Sequence, residues 1–322
     1  MKAIIVTDQA TGTAGMKLAE LTQPEASLND VIVQVYASGF TKDELTWPST
    51  WTDRAGRDRS PSIPGHEVAG VVTALGYGTT GLSVGQRVFG LTDWHRNGTL
   101  AEYVAVEARN LAPLPGDVDF AEGAALVMSG LTAWQGLFVH GRLRAGQTVL
   151  IHGAAGVVSS MAVQLARAAG AYVIGTGRAN GRQAALDFGA QEYLDLENEK
   201  LQDIGGVDLV FDIFSGDIAQ QSVKLIRSGG TLVTIAGPTD ARPDNGSTID
   251  FVVEADPIQL NEVVQRFREG RLRTNIGAIA TLDDAIATFN STGRINGKTI
   301  IRARPYKLIG PGNATFKGLN QV

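Results

Sequence analysis

Over the first 120 positions the apolar residues fall in short runs, "DVIVQVYA", "HEVAGVVTAL", "QRVFGL" and "LAEYVAV", each closed by Gly, Pro, Asn or Asp. Runs of this length and alternation predict strands, so the region reads as an all-β unit. After Pro115 the pattern changes. Apolar strands "TVLIHG", "AYVIGTG", "VDLVFDIF" and "GTLVTIAG" now alternate with helical stretches, one running to Ala169, one near 181–188 and one near 217–227. This alternation predicts an α/β fold with a doubly wound parallel sheet. "FVVEADPIQLNEVVQRFREG" continues it as a further strand and helix. From about Arg271 the pattern changes again, to a short amphipathic helix in "LDDAIATFNSTG" and a strand in "GKTIIRA". A terminal segment of this kind returns to the first unit, which predicts one domain of residues 1–120 with 272–322 and a second of 121–271. The closing "LIGPGNATFKGLNQV" is turn-rich and reads as loop, tail or short strand.

Composition narrows the function classes. With 322 residues, 43% of them hydrophobic, the chain has enough apolar surface for two cores. A net charge of -5 without long charge runs offers no footprint for nucleic acid or an acidic membrane. The chain has no cysteine, which removes disulfides, thiolate nucleophiles and sulfur-ligated zinc. No signal-peptide pattern and no membrane-length apolar run is present, so a cytoplasmic location is expected.

"VLIHGAAGVVSSMAVQLARAAG" carries the most specific chemistry. Gly153, Gly156 and Ser159 follow G-x-x-G-x-x-G with serine in the last place, between an apolar strand and a helix whose Met161, Ala162, Leu165, Ala166 and Ala169 share a face. Unpaired N–H groups and the helix dipole at such a junction attract a pyrophosphate, although small residues there also simply let helix and strand pack. The next strand ends "VIGTGRANGRQ", without the carboxylate that would bind the ribose hydroxyls of NAD. Instead it has Thr176, Gly177, Arg178 and Arg182, which suit the 2′-phosphate of NADP(H).

Taken together, "PGHEVAGVVTALG", "VGQRVFG", "LAEYVAV", "SGLTAWQGLF", "VLIHGAAG", "FVVEADPIQL" and "INGKTIIR" resemble, in order, the landmarks of the medium-chain dehydrogenase/reductase superfamily. Within it the chain is similar to the zinc-free, quinone oxidoreductase-like branch of NADPH-dependent quinone and enoyl reductases. The resemblance implies a Rossmann domain plus a GroES-like, partly open β-barrel catalytic domain, with the active site in the cleft between them. It places the pyrophosphate at Gly153 and the backbone of Ala155, Gly156, Val157 and Val158, and the adenosine phosphate near Thr176, Gly177, Arg178 and Arg182. The nicotinamide side falls at Thr132, Phe214, Ala236, Gly237, Phe251, Val252 and Val253. Relatives commonly have glycine at the positions of Val157 and Ser159. Because the cradle is made of N–H groups, Val157 still donates if its φ is negative. The resemblance also implies a homodimer.

Zinc-dependent members of the superfamily take ligands at the positions of Thr41, the "GHE" pair and Met128. A threonine and a thioether are poor ligands for catalytic Zn²⁺, so no metal is expected, and His66 and Glu67 read as structural, bonded to backbone or to each other. His95, His140 and His152 show no ligand spacing. Without zinc to polarise an alcohol, the natural reaction is hydride transfer from NADPH to a small electron-poor acceptor, a quinone or an α,β-unsaturated carbonyl. Thr41 is the candidate donor by position, with a satisfied barrel hydroxyl as the other reading. Trp47 and Trp51, with Trp94 and His95, read as an aromatic wall for a flat substrate or as cover for the barrel mouth. A fold that binds a nucleotide or small molecule without redox turnover is the competing function, supported by the altered loop at Val157 and Ser159.

Overall fold

The computed structural model describes residues 1–293 and 295–304. The turn-rich end from Leu308 to Val322 lies outside the described residues. β1 (Lys2–Ile5) and β2 (Lys17–Glu20) form an antiparallel pair, and α1 (Pro48–Trp51) is a single turn. β3 (Asp30–Gly39), β4 (Glu67–Leu75), β5 (Arg87–Leu91), β6 (Tyr103–Glu107) and β7 (Leu111–Pro113) build a larger antiparallel sheet. Alternation decides its two faces, with a register shift between Val35 and Ala37 that turns the end of β3 over. Val31, Val33, Val35, Val68, Val72, Val88, Val104 and Val106 fill one core, while Ala37, Ala69, Phe89 and Leu91 belong to the core on the opposite side.

That second core is shared with α2 (Phe120–Trp134), whose N-terminus is capped by the Asp119 side chain accepting from Ala121 N at 2.8 Å. The helix is buried almost all round because it lies between the two sheets, packed on β3 and β4. Its other side meets α3 (Val157–Ala168) and α6 (Pro257–Arg268) of the second layer system.

The second sheet contains β8 (Thr148–Ile151), β9 (Tyr172–Gly177), β10 (Glu192–Asp195), β11 (Val207–Asp212), β12 (Ile226–Thr234) and β13 (Ser247–Asp250). All are parallel, in the order β10-β9-β8-β11-β12-β13, so the strand order reverses beside β8 and a crevice opens at the carboxyl ends there. α4 (Arg182–Asp187) and α5 (Gly216–Ser222) are shorter than the pattern predicts; α5 passes into a 3₁₀ turn at Val223–Leu225 before β12 begins.

Two further elements differ from expectation. The strand predicted at "FVVEADPIQL" lies upstream as β13, and Phe251–Asp256 is irregular. The backbone bonds a longer strand needs are taken by Gln135, whose Nε2 donates to Glu254 O at 2.8 Å while its Oε1 accepts from Glu254 N at 3.1 Å. The chain then returns to the first sheet through β14 (Ile276–Thr281), which the pattern did not predict, α7 (Ala285–Phe289) and β15 (Lys298–Arg302). β15 pairs antiparallel with β3, Ile300 opposite Gly39, and β14 lies parallel outside it. Gln164 holds the crossing segment, exchanging bonds of 2.8 and 3.0 Å with the Arg273 backbone.

Candidate active site

β8 is apolar enough to run through the sheet centre, with Val149, Leu150 and Ile151 fully buried, and it ends in the Gly153 turn. Gly153 has φ +59°, a backbone conformation that favours glycine, and a Cβ there would lie 2.5 Å from Ile213 Cδ1, whose side chain would have to shift. Gly156 caps α3 without a side chain, and Val157 opens the helix with no positive φ. Its N–H therefore points with those of the first turn, which have no intrahelical acceptors. Ser159 is fully buried, and its Oγ donates to the His152 carbonyl at 2.7 Å. The hydroxyl ties helix to strand where a glycine would leave that carbonyl without this partner. Ser159→Ala should thus cost about 1 kcal/mol of stability in chemical denaturation while leaving nucleotide affinity unchanged; a large affinity loss at unchanged stability would show that Ser159 serves the ligand instead.

A buried network underlies the crevice. Ser222 Oγ donates to Ile218 O at 2.7 Å, so it accepts from His152 Nε2 at 2.8 Å. The neutral ring then accepts at Nδ1 from Thr176 Oγ1, 2.7 Å away. Burial pushes His152 down to about 4, against the opposing pull of Asp212. The Asp212 carboxylate accepts from Phe214 N, Ser215 N and Thr234 Oγ1, and Thr234 Oγ1 in turn accepts from Ala236 N at 3.2 Å. Asp212 and His152 thus shape the turns after β8, β9, β11 and β12.

On the adenosine side, Thr176 is committed to His152, and Gly177 leaves room for Tyr193, whose Oη would lie 2.5 Å from a Cβ there. Arg178 is exposed, its Nε 3.3 Å from Glu197 Oε1. Arg182 is already engaged, donating to Tyr193 O at 2.7 Å and Glu199 Oε2 at 2.6 Å, so it differs from the expected phosphate ligand. On the nicotinamide side, Phe214 stands 45% exposed beside Gly153, and Gly237 has φ +97°. Thr132 is buried in α2 and Val253 is buried, whereas Val252 is exposed and Phe251 packs on His140 with ring centroids 4.5 Å apart. The expected nicotinamide residues are therefore not one surface; Phe214 and Ala236 are the pair organised together, through Asp212.

The barrel side holds a charge cluster. Glu44 Oε1 accepts from Thr41 N at 2.9 Å and Oε2 from Gly65 N at 3.0 Å, with His66 Nε2 3.8 Å away. Glu67 accepts from Met128 N at 2.9 Å and lies 2.5 Å from Lys298 Nζ, itself 3.5 Å from Ser129 Oγ. Burial pushes Glu44 up to about 8 and raises Glu67 against the pull of Lys298. Burial, with Arg59 adding, drives His66 down to about 3. At neutral pH Glu44 is protonated and His66 neutral, beside the salt bridge between Glu67 and Lys298. His66 and Glu67 are not bonded to each other as the sequence reading allowed: His66 Nδ1 meets Thr92 Oγ1 at 3.1 Å. Among the described residues no three His, Asp or Glu side chains gather to hold a metal ion.

The four aromatic-wall residues separate. Trp47 and Trp94 meet edge to face at 5.3 Å and both approach the His66 ring. Trp51 turns away, donating from Nε1 to Leu45 O at 2.8 Å and packing on the core around Ile4 and Phe40. His95 meets Thr52 O at 3.1 Å and faces a separate cavity of about 520 Å³ with Met1, Arg59 and Tyr103. Between the sheets, Val157 of α3 faces Phe40, Lys42, Phe289 and Lys298 across a cavity of about 330 Å³.

Comparison with known proteins agrees with this architecture. An alcohol dehydrogenase GroES-like domain model matches residues 27–116, and a zinc-binding dehydrogenase model matches residues 157–267. The chain is 32% identical to quinone oxidoreductase from Rattus norvegicus across 67% of each protein. It is 28% identical to 2-methylene-furan-3-one reductase from Solanum lycopersicum across 95% of this chain and 80% of that one. The solved structure of quinone oxidoreductase from Coxiella burnetii superposes with a TM-score of 0.85 at 24% identity, covering 94% of this chain and 99% of that one.

Proposed function

The chain belongs to the quinone oxidoreductase-like family of the medium-chain dehydrogenase/reductase superfamily, and from that premise we propose that it is a metal-free oxidoreductase using NADPH to reduce a quinone or an activated C=C bond. The observation that carries the reading is the turn after β8. A glycine held at φ +59° opens onto a helix whose first N–H groups are free, beside a β9 turn with Arg178 and no carboxylate of its own. The cradle fits a pyrophosphate, since Gly156 opens α3 without a side chain and the N–H groups of the first turn have no intrahelical acceptors.

When bound, the nicotinamide supplies the hydride. The chain's residues do the rest: the α3 N-terminus orients the phosphates, Arg178 meets the 2′-phosphate, and Phe214 and the Ala236–Gly237 turn border the ring. Trp47 and Trp94 offer the flat acceptor an apolar wall, and Thr41 stands as the candidate hydroxyl donor to its carbonyl oxygen. The donor set argues against zinc on its own chemistry, because Thr41 and Met128 occupy two of the ligand positions and Glu67 is neutralised by Lys298. The catalytic unit is taken as 1–120 with 272–322, supported by the pairing of β15 with β3, and the nucleotide unit as 121–271. In solution the chain is expected to be a homodimer. The competing reading, binding of a nucleotide or small molecule without turnover, is separated from this one by the NADPH consumption assay below.

Arg178→Ala is expected to weaken NADPH about 10- to 100-fold and leave NADH nearly unchanged, the loss of a charge-assisted pair to phosphate. Fluorescence titration of both nucleotides measures it, followed by NADPH consumption over a panel of quinones and enones. A wild-type chain that binds neither nucleotide sinks the reading.

A further inference from the structure

β9 ends without an acid, yet the end of β10 and the loop after it bring three, Asp195, Glu197 and Glu199. Leu196 N donates to Gly177 O at 2.9 Å and Tyr193 Oη to Arg178 O at 2.7 Å, which folds this loop against the β9 turn. The loop is locked from within: Asp195 accepts from Glu197 N at 3.1 Å and from Asn198 Nδ2 at 2.7 Å, and Glu199 accepts from Asp195 N at 2.7 Å. Two cations, Arg178 and Arg182, therefore face Asp195, Glu197 and Glu199.

The two arginines are held differently. Arg182 and Glu199 are bonded to each other and to backbone, so both belong to the loop's framework. Arg178 and Glu197 are both mostly exposed and meet in an ion pair of 3.3 Å. An exposed pair of this kind holds weakly and exchanges partners readily.

We infer that Glu197 is a specificity-determining residue, whose carboxylate competes with a 2′-phosphate for Arg178 and so sets how strongly the site prefers NADPH over NADH. The inference rests on the dinucleotide reading above. A 2′-phosphate reaching Arg178 displaces Glu197 and then remains within range of its charge. A ribose hydroxyl meets the opposite situation, because a carboxylate is the acceptor it needs. Glu197 thus penalises one nucleotide and accommodates the other from outside β9, a position the strand-end pattern does not include.

The test is a nucleotide titration of the full chain at fixed ionic strength in wild type, Glu197→Gln, Arg178→Ala and the double variant. Glu197→Gln should raise the NADPH-to-NADH affinity ratio about tenfold, the effect of removing one charge a few ångströms from a phosphate in water. The same substitution in the Arg178→Ala background should raise the ratio less, because the competition for Arg178 is gone and only the direct effect of the carboxylate on phosphate and ribose remains. A ratio unmoved by Glu197→Gln, or moved equally in both backgrounds, overturns the assignment while nucleotide binding itself persists. Absence of any nucleotide binding by the wild type overturns the dinucleotide reading and this inference with it.

Discussion

Lys298→Met is expected to lower the unfolding free energy by about 3–5 kcal/mol near pH 7.5, the cost of leaving one partner of a buried ion pair uncompensated. Lys298 Nζ lies 2.5 Å from Glu67 Oε2, and Glu67 is fully buried with its other oxygen on Met128 N. The pair is built into the strand interface: a Cβ at Gly39 would sit 2.3 Å from Glu67 Oε2 and 2.8 Å from Lys298 Cε, so Gly39 makes the room in which the two meet. In the variant, Glu67 must either ionise in an apolar enclosure or take up a proton, as burial already favours. The loss should therefore shrink on acidification, and adding Glu67→Gln should recover most of it. Equal destabilisation by the single and double variants in urea unfolding would show that packing of the lysine stem, rather than charge, is what Lys298 supplies.

This cluster also marks where sequence reading stops. The strand alternation, the Gly153 turn and the order of landmarks are local signals, and each leads to an element of the fold: the Val-rich barrel core, the α3 N-terminus, the parallel sheet. Glu44, Glu67 and Lys298 come from opposite ends of the chain and meet only because β15 returns to β3. Gly39 inside a strand was the one local hint, since a glycine there signals a close approach. In the sequence Ser159 reads as a lost glycine, because the His152 carbonyl it serves is not visible there as an orphan. Trp47 and Trp51 lie in "TWPSTWTDRAGRDR", and Trp94 and His95 in the separate segment "LTDWHRNG". The first segment turns Trp51 into the core around Ile4 and Phe40, and the second turns His95 toward Thr52. Composition does not say which side of a wall a loop residue faces.

Chemical denaturation across pH should show a stability maximum near pH 6.5, set by three buried groups. Burial, with the Glu67 charge adding to it, pushes Glu44 up to about 8 from an ordinary 4.5, overcoming the Thr41 and Gly65 N–H groups and Lys298. As pH rises above 6.5 both buried histidines become neutral in the unfolded chain as they already are in the fold, which leaves the folded carboxyl as the group that retains a proton the unfolded chain has lost. Stability then falls as pH rises, by up to ~1.4 kcal/mol per unit, until the folded carboxyl ionises near pH 8. Below pH 6.5 the unfolded chain charges His66 and His152, which the fold keeps neutral at about 3 and about 4. Two protons taken up by the unfolded chain outweigh the one on Glu44, and stability falls toward pH 4.5. Asp93, held below the usual carboxylate range by the His95 N–H and Arg54, deepens the loss in more acid solution. Glu44→Gln separates the contributions. Whatever its absolute cost from the Thr41 and Gly65 bonds, it should flatten the alkaline limb and steepen the acid one, because the offset that Glu44 supplies against the histidines is gone. A wild type of constant stability between pH 6.5 and 8, or a variant with the wild-type slope there, would show that Glu44 is ionised in the fold.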